Sequence, residues 1–431
     1  MNILLYTLKA VASAITEPYL AIILVIIAFV LYRKNSKIAM MQKMIIGEQI
    51  NSPMELTISQ VVIGILAGTV ASMILSYFGV AFDENSAIDI IFLLSVIFML
   101  WNPRFVCFSY SGAALGFISL FLENMSRVLN KPGLNFLKID VAALMTMVAV
   151  LHFIEGILVI SDGKRGSIPV FTSRDNKIVG GFAFQRYWVL PVALLLISHD
   201  ASIAGDTVKI STSGGWPLLK DFLGQNLASN LFIILYPFYG MIGYSSITFT
   251  KNKSEKTLFS GLSIILYSIV LFIFSRLAVL NIYYKILVLI FAPLAHELMI
   301  NFQKYIEIEG KPKFVSSDEG IMVLDVAPNS PADEMGIKSG DMLVEVNDKI
   351  VESEEDILTS IKETSSFIWF KIKRATGKLE EISYTRMNNE KCFGVVLVPK
   401  GTPKDSIIVK LDSNRFKDVL DKIRNKDDNN E

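Results

Sequence analysis

Val326-Ala-Pro-Asn-Ser-Pro-Ala-Asp-Glu-Met-Gly-Ile-Lys-Ser-Gly-Asp-Met-Leu-Val-Glu-Val-Asn-Asp348 is the stretch that decides how the end of this chain folds. Just before it, Gly320-Ile-Met-Val-Leu-Asp-Val326 is a short apolar run that reads as a strand. Ser330-Pro331-Ala332 starts a short helix, with Pro331 at the favoured first position, where a missing N–H leaves no bond unmade. Gly336 and Gly340 punctuate the stretch before Met342–Val346, a second strand. Asn347-Asp348 favours a tight turn into Lys349–Val351. Ser353 then caps a helix over Glu354–Glu363, with Asp356 three residues on as a partial capping box. Ile357, Leu358 and Ile361 mark the buried stripe of that helix. Phe367–Ile372 alternates as a strand should, and Gly377 turns it into Leu379–Tyr384.

This order of elements, with Ser-Pro-Ala, Gly-Ile and Gly-Asp-x-Leu at these spacings, resembles a PDZ domain over positions 311–400. The resemblance implies a small α/β fold, a partly open antiparallel barrel with two helices. It also implies peptide binding by strand addition, with the peptide backbone paired to a sheet edge beside a helix. In that family an apolar-Gly-apolar loop offers N–H groups to a terminal carboxylate. Upstream of Ile321 there is little room for such a loop, and Asp318 and Glu319 would repel a carboxylate. Downstream, Cys392-Phe393-Gly394-Val395-Val396-Leu397-Val398 fits the loop and its strand. The expectation is a circularly rearranged PDZ domain. Phe393, Gly394, Val395, Val396 and Leu397 would form one wall of its groove, and Ile357, Leu358 and Ile361 the other. The plain alternative is that Phe393 and Val395 are core residues of a closing strand.

The rest of the chain has a different character. Of 431 residues, 52% are hydrophobic and 19% charged, with 41 basic and 41 acidic residues. The charges divide unevenly: 40 lie in positions 1–310 and 42 in positions 311–431. A multi-span membrane domain over 1–310, a soluble domain over 311–400 and a short strand–helix tail over 401–431 account for that split. Balanced charge argues against a nucleic-acid binder. Two cysteines, Cys107 and Cys392, make neither a disulfide framework nor a Cys-based zinc motif. No cofactor is expected.

A bilayer core of about 30 Å needs roughly 20 apolar helical residues. Eight or nine candidate spans follow: Pro18–Tyr32, Ile58–Phe82, Ala87–Trp101, Phe105–Leu122, Ile139–Ile160, Tyr187–Ser198, Leu227–Phe249, Leu258–Ser275 and Ala278–Ile300. Ala87–Trp101 and Phe105–Leu122 are close enough to be one re-entrant unit. Residues 2–16 read as an amphipathic lead-in. Basic residues gather in the loops 33–57, 161–186 and 250–257, which places these loops and the C-terminal domain in the cytoplasm.

Ionisable groups within spans raise a functional question. His152 and Glu155 share a helix face, and His296-Glu297 lies near the end of the last span. An intramembrane zinc protease would need His-Glu-x-x-His, but position 300 is Ile300, and His199 is the only other histidine. Ser161-Asp162-Gly163 is similar to the Asp-Gly element of such enzymes but falls in a basic loop. No metal or catalytic residue is therefore expected, and the chain reads as a non-enzyme.

Many spans followed by one C-terminal PDZ domain resemble the MinJ-type topological determinants of bacterial cell division. Gly163–Val170, Gly180-Gly181 and Gln185-Arg-Tyr-Trp-Val-Leu-Pro191 add to that likeness. The resemblance implies a scaffold in the plasma membrane that meets membrane lipids and peptide segments. It would link a polar or septal coiled-coil protein to Min components. The alternatives are a PDZ-containing membrane protease or regulator of proteolysis, and a transporter.

Overall fold

The computed structural model describes residues 3–47, 50–83, 86–101, 105, 107–131, 133, 136–198, 216–219, 232–363, 367–385 and 392–401. The tail over 401–431 lies almost wholly outside these residues, as does His199.

The chain opens with helix α1 (Ile3–Thr16), which buries Ile3, Tyr6, Val11 and Ala14 on one face, as an amphipathic lead-in should. Helix α2 runs from Pro18 to Ile46, so the basic segment expected as a loop continues the helix. Buried Asn35 explains the continuation, because its amide donates to Thr57 Oγ1 and Gln60 Oε1. Both acceptors lie on α3 (Pro53–Phe78), which Ser52 caps through the Glu55 N–H. Helix α4 (Ile90–Trp101) has 12 residues, about 18 Å, which is too short to cross a bilayer. Helices α5 (Phe108–Val128), α6 (Val141–Asp162), α7 (Lys253–Leu277) and α8 (Ile282–Glu309) complete the helical part. Among the described residues, α2, α3, α6, α7 and α8 are long and apolar enough to span a membrane, which fits a membrane protein. Helix α6 is the central one, and Val141–Leu151 are all buried.

Two expected spans are not helices. Tyr187–Ser198 belongs to strand β3 (Lys177–Ser198), and Leu227–Phe249 contains strand β4 (Phe232–Thr248). They pair antiparallel from Phe182↔Thr248 to Ser198↔Phe232, with β2 (Ile168–Arg174) and β1 (Ala81–Asp83) beside β3. Pro191, Pro237, Gly180, Gly181, Gly240 and Gly243 disfavour helix, while the Val, Ile, Tyr and Phe between them favour strand. A strand edge in apolar surroundings needs cover. Helix α3 supplies it with small residues: a Cβ on Gly64 would stand 2.2 Å from the Val189 carbonyl oxygen, and one on Gly68 2.4 Å from that of Pro191. One turn further along, Ser72 Oγ accepts the Ala193 N–H at 2.9 Å.

A buried ion pair ties this hairpin to α6. Asp162, at the end of α6, accepts bonds from the Arg186 guanidinium and, at 2.9 Å, from Trp188 Nε1. Arg186 is 1% exposed and reaches Ser59 Oγ as well.

The C-terminal sheet has the order β10-β5-β6-β8-β9, from strands β5 (Ile321–Val326), β6 (Met342–Val346), β8 (Phe367–Lys373), β9 (Leu379–Thr385) and β10 (Val395–Leu397), with β7 (Lys349–Ile350) on β6. Helix α9 (Pro331–Glu334) starts at Ser330, whose hydroxyl accepts the Asp333 N–H; helix α10 covers Glu354–Glu363. The turn before β5 closes through Ser317 and Gly320, and Glu319 pairs with Lys373.

This sheet is seated on the base of the hairpin. The Gly180 N–H donates to the Phe314 carbonyl, and Lys313 N–H to that of Phe249, both at 2.9 Å. Lys253 Nζ binds both oxygens of the nearly buried Asp325 carboxylate.

Candidate functional site

The sequence-derived groove is the first candidate. Strand β10 pairs antiparallel with β5, Val395↔Val326 and Leu397↔Val323, and among the described residues it ends the sheet on that side. Gly394 sits at φ +77° with a would-be Cβ 2.3 Å from Ser330 Cβ, so the turn into β10 needs glycine there. Its carbonyl accepts the Ala327 N–H, and that of Phe393 accepts the Ala332 N–H, which locks the loop to α9. Leu397 and Ile357 lie in one apolar cluster with Val346, Phe370 and Ile372; Ile361, Phe393 and Val395 pack against it. Strand β10 and helix α10 therefore contribute to the same apolar cluster, and Phe393, Val395 and Ile361 are half-buried beside it. Val396 does not join them. It alternates to the other face and packs with Leu324, Phe314 and Val398 toward the membrane part. The side chain of Leu358 lies outside the described set.

A second site comes together that sequence spacing did not show. Cys107, at the start of α5, meets His152 of α6 and His296 of α8. Cys107 Sγ is 2.9 Å from His152 Nε2 and 3.6 Å from His296 Nε2, and the three ligand atoms all lie within 4.8 Å of one another. His152 and His296 are buried, at 1% and 7% exposure. Each uses its other nitrogen elsewhere: His152 Nδ1 is 2.7 Å from the Val148 carbonyl oxygen, and His296 Nδ1 is 3.1 Å from the Tyr110 hydroxyl. That hydroxyl donates to the Glu297 carboxylate. Glu155 stands beside the group, 3.9 Å from His152 Nε2. Tyr267 packs its ring against both histidines.

Asp162, noted in the sequence, and Glu307, which was not, are engaged elsewhere. Asp162 is taken up by Arg186 and Trp188, and Glu307, near the end of α8, accepts bonds from Thr248, Thr250 and Lys256. Both are structural knots where a helix end meets the hairpin.

No curated protein matches the chain. Residues 322–374 match the PDZ domain family, from strand β5 to the end of β8. The C-terminal sheet and its helices thus contain a PDZ domain, a module for protein–protein interaction.

Proposed function

We propose that this chain is a non-catalytic membrane scaffold that captures peptide segments of partner proteins by strand addition at β10. The observation that carries this reading is the position of β10. Among the described residues it ends the sheet, and it shares an apolar cluster with α10 against which the half-buried Phe393, Val395 and Ile361 pack. An added peptide strand would gain main-chain hydrogen bonds from β10 and side-chain contacts from α10. The seat on the hairpin supports a scaffold role, since Lys253–Asp325 and Gly180–Phe314 hold the domain against the membrane part. Anchoring in the bilayer raises the effective concentration of weak contacts.

In its finer form, the scaffold works at the bacterial division site. There it links a coiled-coil polar or septal protein to Min components, with the PDZ domain in the cytoplasm of a plasma-membrane protein. The likeness in domain order to MinJ-type determinants supports that placement, and the basic segments around 33–43, 164–177 and 251–256 support the orientation.

Crosslinking in membranes tests the capture step. The intact chain and an Ile361→Lys variant are crosslinked in parallel. Proteins recovered with the intact chain and lost with the variant support groove binding; an unchanged set contradicts it. A fluorescent fusion tests the placement: enrichment at septa supports it, and uniform membrane signal through the division cycle counts against it.

A further inference from the structure

We propose that Cys107, His152 and His296 form a divalent-metal site inside the helical part, with zinc as the ion their chemistry suits. The argument rests on how few protons the cluster can share. The Val148 carbonyl only accepts, so His152 carries a proton on Nδ1, and in the neutral ring that a metal ion requires its Nε2 presents a lone pair. The Tyr110 hydroxyl gives its proton to Glu297, so its oxygen accepts from His296 Nδ1, and His296 Nε2 also presents a lone pair. Ser109 approaches His152 Nε2 to 3.2 Å, but its partner Tyr267 donates to the Ala292 carbonyl and therefore draws the Ser109 proton to itself. One thiol proton on Cys107 remains for two imidazole lone pairs. Buried acceptors left without a donor cost about 1–3 kcal/mol each. A cation bound between a thiolate and two neutral imidazoles satisfies all three atoms at once.

The distances and the surroundings agree. Zinc bonds of about 2.3 Å to sulfur and about 2.0–2.1 Å to nitrogen, at a tetrahedral angle, separate S and N by about 3.5 Å. Cys107 Sγ to His296 Nε2 is 3.6 Å already, and the 2.9 Å separation to His152 Nε2 has to open slightly. Each imidazole has the supporting partner that metal-bound histidines have: a backbone carbonyl for His152, and a tyrosine–carboxylate relay for His296. Three ligands leave a fourth position. The three atoms group without the Glu155 carboxylate, which stands beside them, so a water molecule would take that position on a bound ion. The site is separate from the PDZ groove, and its failure would leave the scaffold reading intact.

The test is metal content of the full chain purified in detergent, followed by replacement with Co2+. The expected result is roughly one zinc per chain, because the ligands define a single site. The Co2+ form of the unmutated chain should show a thiolate-to-metal absorption band that Cys107→Ser abolishes. Tyr110→Phe should weaken zinc binding about 10–100-fold by removing support from His296, and Glu155→Gln should keep the metal. No zinc above the level of a His152→Ala/His296→Ala double variant, or no thiolate band in the Co2+ form of the unmutated chain, overturns the proposal. Loss of metal in Glu155→Gln overturns the three-ligand assignment. The Co2+ spectrum is read on the unmutated chain, so a variant that fails to fold does not decide the outcome.

Discussion

Helix α6 and strand β3 each contain 22 residues and are each dominated by apolar side chains, yet they take opposite secondary structures. The helix extends about 33 Å, close to a bilayer core, and the strand up to about 73 Å, more than twice that depth. Hydropathy alone cannot separate them. What separates them is local: Val141–Asp162 carries a single glycine and no proline, whereas Lys177–Ser198 carries Gly180, Gly181 and Pro191. Their satisfaction differs too. The helix closes its own backbone bonds, while the strand depends on β4, β2, β1 and the small-residue face of α3. A helix in this protein is thus self-sufficient, and the strand is held by its neighbours.

That contrast can be broken at the joint between the two elements. Arg186→Ala should have the largest effect, because it removes the buried cation of the Asp162 carboxylate and leaves only the half-exposed Arg165, 3.5 Å away, at a cost of up to about 3–5 kcal/mol. Thermal unfolding of the full chain in detergent should show a lower Tm, and Asp162→Asn in the same chain should recover part of the loss. An unchanged Tm would mean the hairpin is not anchored to α6 by this pair. Gly64→Val should come next, since its side chain would meet the Val189 backbone; overpacking of this kind costs about 1–3 kcal/mol. Hydrogen exchange should then quicken in β3 and leave α6 protected. Equal loosening of both would remove the distinction between them.

Smaller effects are expected where the PDZ domain meets the hairpin. Lys253→Met leaves the Asp325 carboxylate, 5% exposed, without its cation. A penalty of about 1–3 kcal/mol follows. Faster hydrogen exchange in β5 and β10 checks it. The smallest effect is a pH dependence within the PDZ sheet. A hydrogen bond from Arg374 holds the Glu380 carboxyl below its ordinary range, with Lys378 adding to it. The Ser353 N–H does the same for Asp356 at the start of α10. Both carboxylates have depressed folded values, so their stabilisation is present at neutral pH. It fades as pH falls below the ordinary carboxylate range and through those values. Protection factors in β9 and at the start of α10, corrected for the pH dependence of intrinsic exchange, should fall with acidification and recover on neutralisation.

The same contrast explains which parts could be read from the sequence. The PDZ elements follow from caps, turns and alternation within a few residues. The bounds expected for Met342–Val346 and Glu354–Glu363 are those observed, and the strand expected over Gly320–Val326 starts one residue later, at Ile321. The β3–β4 hairpin reads as spans because its apolar content outweighs Pro191 and Pro237, although these breakers are present in the sequence. The cysteine–histidine cluster gave no signal of that kind. Its members are 45 and 189 residues from Cys107 along the chain, and only the packing of α5, α6 and α8 brings them together. His296-Glu297 resembles part of a motif that Ile300 breaks, whereas in the fold His296 faces Cys107 and Glu297 holds Tyr110.

The central functional claim is peptide capture at β10, and hydrogen exchange on the full chain tests it most directly. With a peptide selected from a random library at saturating concentration, the account predicts slowed exchange in Val395–Leu397 and α10, and little change in β9 at the opposite edge. Protection confined to β9, or spread over the membrane helices with β10 unchanged, would contradict it.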